Sequence, residues 1–264
     1  MPPAKDTKTD TVISLTDRGF SQIAALYEKQ RLKLGGGRLQ IGSYLCGSYF
    51  RALCSAVTPA QLPESYDLVL PVLAQRDLSL LEDSKAQDLI SGARALVVND
   101  PGMLRRFGSG AQVRLGRLFF RAYRDHRYPQ YEESASGEES MRALVKALRE
   151  LGYHFYAVER EAIGSTLPSP EDGVPVPYYH LPYRLISGMR ICEYASAEKA
   201  IEKKFRPDAA CRLQCLRYHI RYEDKAFANA YIKFGRGLYD LAPRDAARGT
   251  NLIITPELSE DLQK

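Results

Sequence analysis

No stretch of this chain is long and apolar enough to cross a bilayer, and its opening MPPAKDTKTD lacks the apolar core of a secretory signal. A cytoplasmic location is the expectation. The sequence has no CxxC pair, which removes the common zinc knuckles and the closely spaced cysteine run of ferredoxins. It also has no HExxH and no GxSxG, and no cysteine sits beside a recognisable histidine partner. The usual metalloprotease and nucleophile-elbow signatures are therefore absent. No GxGxxG follows a strand-like run, because GGGRLQIG precedes one instead, so dinucleotide binding has no motif behind it. Tryptophan is missing and tyrosine numbers 17, and neither fact bears on function. There is no internal repeat and no low-complexity linker.

What remains is ordinary in bulk. The 264 residues are 45% hydrophobic and 26% charged, enough to bury a sizeable core. The net charge of +5 is mildly basic, with the excess in RLGRLFFRAYRDHR (114–127) and around Lys203, Lys204 and Arg206. A nucleic-acid surface, an anion pocket or a solvated face all produce such patches, and the charge alone does not call for nucleic acid.

Residues 1–15 read as a disordered lead-in, with one folded unit from 16 to 264. A helix is expected from Asp17 to Leu34, stopped by Gly35-Gly36-Gly37. Strand-like runs follow at 39–45, 67–73, 95–100, 113–120, 154–161 and 174–186, and the last apolar run is 231–241. Helical spacing marks 76–90, 103–107 and above all 138–151, where Met141, Leu144, Leu148 and Leu151 share a stripe. This alternation predicts an α/β fold of TIM type, a β/α barrel that is complete, incomplete or distorted, with a C-terminal cysteine-bearing segment. An open doubly wound sheet is the competing architecture.

Five cysteines are an odd number, and a reducing compartment favours ligands or free thiols over disulfides. Cys192, Cys211 and Cys215 gather in one polar stretch, Cys46 ends the strand LQIGSYLC, and Cys54 lies in the helix-like SYFRALCSAV. Cys211 and Cys215 are four apart and share a face on a helical turn. Four thiolates satisfy a 4Fe-4S cluster. Spacing leaves that reading level with plain burial for Cys46, Cys192, Cys211 and Cys215, while Cys54 reads as core.

ALVVNDPGMLRRF, LGRLFFRAYRDHR, LPYRLISGMRIC, KKFRPDAAC and FGRGLYD resemble segments of the collagenase-like peptidase U thirty-two family over residues 39–241. The similarity is closest to its iron–sulfur subunits of oxygen-independent ubiquinone hydroxylation. That resemblance implies a 4Fe-4S cluster on Cys46, Cys192, Cys211 and Cys215, and a heterodimer with a paralogous family subunit. It also implies hydroxylation of an aromatic or quinone precursor with prephenate as oxygen source. The family's opening strand is not recognisable before residue 39, the loop from Cys192 to Cys211 is longer, and His126 stands where the family often has proline.

A dicarboxylate such as prephenate calls for guanidinium forks. Arg117, Arg121, Arg124, Arg127 and Arg190 are candidates, each with a solvated-surface alternative. Asn99 and Asp100 end a strand, where a parallel barrel places functional groups, yet the same pair makes a good helix cap. Glu159 and Glu161 share a strand face and are acid–base candidates. His154 and His180 read as hydrogen-bonding or core residues, and His219 as a weak fifth ligand. Three alternatives stand beside the hydroxylase reading: a peptidase, a cluster-bearing partner inactive alone, and an RNA-modifying factor.

Overall fold

In RLQIG, YDLV, ALVV and VRL the side chains alternate between two apolar environments, and that alternation builds the architecture. One set, including Ile13, Leu39, Ile41, Leu68, Leu96, Val98, Val113, Leu115 and Val158, packs with the helices in one large core cluster. The other set, among them Val12, Val69, Val97, Ala157 and Ile253, forms separate small clusters on the opposite faces of the strands. A strand buried on both sides belongs in a parallel sheet covered by helices. Each fully buried leucine or isoleucine contributes about 1.5–3 kcal/mol relative to exposure.

The computed structural model describes residues 9–109, 112–120, 136–161, 175–188, 192–197, 199–204, 211–224, 229–241 and 250–257. In chain order they form β1 (Thr11–Ser14), α1 (Ile23–Leu34), β2 (Arg38–Gly42), α2 (Gly47–Ala56), β3 (Tyr66–Val69), α3 (Ser84–Gly92), β4 (Ala95–Val98) and α4 (Pro101–Phe107). Then come β5 (Val113–Leu115), α5 (Ser136–Glu150), β6 (Ala157–Glu161), β7 (Val176–Leu181), β8 (Tyr183–Gly188), β9 (Ile220–Asp224), β10 (Asn229–Phe234), β11 (Gly237–Leu241) and β12 (Asn251–Ile254).

Eight strands close a parallel barrel in the order β1-β12-β7-β6-β5-β4-β3-β2. The ring closes because β1 pairs in parallel with β12 on one side and β2 on the other. The open doubly wound alternative is thereby overturned, and the barrel is complete. Between β7 and β12 the chain makes a second, four-stranded antiparallel sheet in the order β8-β11-β10-β9. Among the described residues, no helix is long and apolar enough to cross a membrane.

Several boundaries differ from the sequence reading. The lead-in placed over 1–15 is shorter, because Thr11–Ser14 is the first barrel strand, with Val12 and Ile13 fully buried. The strand expected at 113–120 ends at Leu115, and the stretch 174–186 splits into β7 and β8. The helix expected over 76–90 is a 3-10 segment, Gln75–Glu82, followed by α3, whose first turn is capped by Asp83. β12 was not anticipated at all. On α5, Met141, Val145 and Leu148 are buried while Leu151 lies beyond the helix and is exposed. The helix stop at Gly35 is as expected: it takes φ +68° as the left-handed C-cap of α1, a conformation cheap only for glycine.

Candidate functional site

The barrel interior is built from charge. Arg114 on β5 donates from Nε to Glu159 Oε1 at 3.0 Å, from Nη1 to Asp67 Oδ2 at 2.9 Å, and from Nη2 to Gln40 Oε1. β2 and β5 are not neighbours in the ring, so the bond from Arg114 to Gln40 crosses its interior. Glu159 also accepts from the Tyr44 hydroxyl at 2.8 Å and lies 3.1 Å from His180 Nε2. Toward the N-terminal ends of the strands, Arg38 bridges Asp67 and Asp10, and Tyr178 donates to Asp10 at 2.7 Å. Burial alone would raise the Glu159 pKa, but Arg114, the His180 bond and charge, and the Tyr44 bond hold it below its usual value. Burial and the Arg117 charge push His180 down despite its carboxylate partner.

At the C-terminal mouth the second sheet forms a lid. Arg117 donates from Nε to Glu161 Oε1 at 2.7 Å and from Nη2 to the Tyr183 carbonyl at 3.0 Å. Its guanidinium lies 5.5 Å from the ring centroids of both Tyr44 and Tyr239. The Leu185 N–H donates to Glu161, and Arg184 forms a fork with Asp240 inside the sheet. This end of a parallel barrel is where functional groups collect.

The cysteines gather beside this mouth. Cys46 follows β2 and caps α2, its Sγ accepting the Tyr49 N–H at 3.4 Å. Cys192, Cys211 and Cys215 lie in the connection from β8 to β9 and pack together around Tyr194 and Ala195. Leu213 and Leu216, either side of Cys215, pack on the same core cluster that contains Cys46. Cys211 Sγ accepts the Leu213 N–H at 3.3 Å.

Electrostatics link the set. Burial pushes the Cys46 thiol up to about 11, and Asp17 and Cys211 add to that rise. Cys215 is raised further, by burial first and then by Asp17, Cys46, Cys192 and Cys211. Four thiols and a carboxyl crowded into a half-dry site resist ionisation, and a polycationic centre is what reverses that cost, because metal ligands bind as thiolates. Donor type, donor number and N–H···S bonds therefore fit a cluster of iron and sulfide. Among the described residues, however, no group of three or more His, Cys, Asp or Glu is placed to hold a metal ion. The four thiols share a neighbourhood without forming a closed ligand cage.

The remaining expected site residues separate clearly. Cys54 is buried on the inner face of α2, part of the core. Asp100 caps α4 by accepting the Met103 N–H at 3.0 Å, and Asn99 is buried and donates to the Leu70 carbonyl. Arg117 is not a free fork, since Glu161 and Tyr183 occupy it. Glu159 and Glu161 belong to ion pairs of the barrel, His180 is a buried hydrogen-bonding residue, and His154 is exposed. Arg121, Arg124, Arg127 and Arg190 lie outside the described residues, as does His126.

The sequence reading missed Asp17, Arg114 and Tyr44. Asp17 follows β1 and is buried at the mouth, where burial lifts its carboxyl to about 7 against the pull of Ser43, Arg18 and Arg236. With Arg18, Cys215, His219 and Phe234 it lines a cavity of about 50 Å³, room for a few waters. A groove of about 620 Å³ between the start of α1 and the end of α2 shares Gly19, Gln22 and Leu216 with that cavity. The only sequence signal for Asp17 was its position after TVISLT, and that strand went unrecognised.

Comparison with protein-family models, curated proteins and solved structures finds no match to this chain.

Proposed function

We propose that this chain is an iron–sulfur subunit of an oxygen-independent hydroxylase, working with a paralogous partner on an aromatic or quinone precursor. The observation that carries the reading is the convergence of Cys46 with Cys192, Cys211 and Cys215 beside the C-terminal mouth of a closed barrel. In this reading the four cysteines hold a 4Fe-4S cluster, which supplies one-electron chemistry or structural support when bound. The chain's own residues do the rest. Tyr49 and Leu213 donate backbone N–H groups to the sulfurs. The groove beside Leu216 is large enough for a ring compound. Prephenate is the oxygen source that the resemblance to UbiV-type subunits suggests, and Arg124 and Arg190 are the forks proposed for it.

A second reading, a cluster-bearing partner without chemistry of its own, is favoured by the barrel interior. Arg114, Arg117, Glu159 and Glu161 are consumed by one another there, leaving these four groups with no spare valence for substrate. A peptidase draws no support from the thiols: both Cys46 and Cys215 are pushed away from the thiolate a nucleophile needs.

The test is anaerobic. Protein purified without dioxygen is assayed for iron and sulfide, then given precursor and prephenate with and without the paralogous subunit. Hydroxylated product from the pair supports the reading. Product from this chain alone removes the partner, and a metal-free chain removes the reading.

A further inference from the structure

We propose that Asp17 is a positioning residue of the metal centre, its carboxylate standing beside the sulfur set to hold down the reduction potential of the cluster. The inference rests on the iron–sulfur reading above and names a residue outside its ligand set.

Four observations on this residue converge. Asp17 stands at the C-terminal mouth, directly beyond β1, with its N–H bound to the Gly42 carbonyl at 3.0 Å. Its φ of +58° lies in the left-handed region, which non-glycine residues enter at a cost. Its side chain is buried, and Oδ1 has no hydrogen-bond partner. After burial itself, its charge is the largest influence on both Cys46 and Cys215.

The fold keeps space for this carboxyl. At Gly235, in the hairpin between β10 and β11, an added Cβ would lie 2.8 Å from Asp17 Cγ. Gly235 itself has φ +54°, so the hairpin can close over the acid only with glycine there. Asp17 does not cap a helix in return. The 3-10 turn at Phe20–Gln22 begins at Gly19 without a side-chain cap bond. A strained, buried and half-satisfied carboxyl costs stability, and the cysteines are the neighbours on which its charge acts. A fixed negative charge beside a cluster disfavours the more negative, reduced form, and net charge is among the determinants of cluster potential.

The experiment compares anaerobically purified wild type with Asp17→Asn at mildly alkaline pH, where the carboxyl is ionised. Iron content, midpoint potential and the electron paramagnetic resonance spectrum are measured, with Asp88→Asn on the exposed face of α3 as control. The expected result is unchanged iron in Asp17→Asn and a potential raised by about 59 mV, a tenfold change in a one-electron equilibrium. The control stays at the wild-type value. Equal iron with an unmoved potential and spectrum overturns the inference and leaves the iron–sulfur reading standing. A wild type without a cluster overturns both. If the asparagine variant fails to fold, Asp17→Glu keeps the charge and moves it by one methylene. An altered spectrum then supports the inference, and an identical spectrum and potential overturn it.

Discussion

Arg114 and Glu159 meet at 3.0 Å in the middle of the barrel, with neither side chain exposed to solvent. Water cannot compensate either charge if its partner is removed. Arg114→Met should therefore cost about 3–5 kcal/mol in urea unfolding, the range for a broken buried pair. Glu159→Gln should cost less, since the amide keeps an acceptor for Arg114 and Tyr44. Arg31→Met, which breaks the exposed Arg31–Glu28 pair, should change stability by less than about 1 kcal/mol.

Acid should weaken the protein in two stages. The His180 pKa is depressed below 6.5 in the folded state, so from about that pH downward the unfolded chain takes up a proton the folded chain refuses. The Glu159 pKa is depressed below 4.5, so its contribution is fully present above that pH and lost as pH falls through the lower folded value. Unfolding free energy should fall with pH across both windows. His180→Gln should flatten the upper one and Glu159→Gln the lower, and a profile unchanged by either variant would contradict the assignment.

Asp100 is a helix cap in this structure. Asp100→Ala should cost about 1 kcal/mol in thermal or urea unfolding, and Asp100→Asn only a few tenths, with iron content unaffected. Lost turnover without lost stability would return Asp100 to the substrate site.

Cys54 separates core from ligand. Its thiol is pushed up to about 12 by burial and by Asp83, and it packs on the inner face of α2. Cys54→Ala should retain full iron and cost about 1 kcal/mol, the scale of removing one small buried group.

The barrel was legible where strands were long and apolar on both faces, as in 67–70 and 95–98, and where helix periodicity ran for several turns, as in α5. Its closure was not. β1 and β12 are four residues each, too short for periodicity to register, and β12 lies beyond an entire antiparallel sheet. The break at Pro182 hid the change from barrel strand β7 to lid strand β8. At the site, the neighbourhood of Cys46 and the C-terminal cysteines was suggested by residue type and resemblance. Arg114 and Glu159 gave no local signal, because their meaning is a contact across the barrel between residues 45 positions apart. Asn99, Asp100 and Arg117 matched a functional pattern in sequence, yet their side-chain partners are a backbone carbonyl, a helix N-terminus and Glu161.

The most direct measurement is iron and sulfide content, with visible absorption, of wild type and Cys46→Ala purified without dioxygen. Four irons per chain in the wild type and their loss from Cys46→Ala are the predicted result, because only Cys46 joins the barrel to the C-terminal thiols. A colourless wild type carrying zinc or no metal, or a Cys46→Ala protein with full iron, would contradict the account.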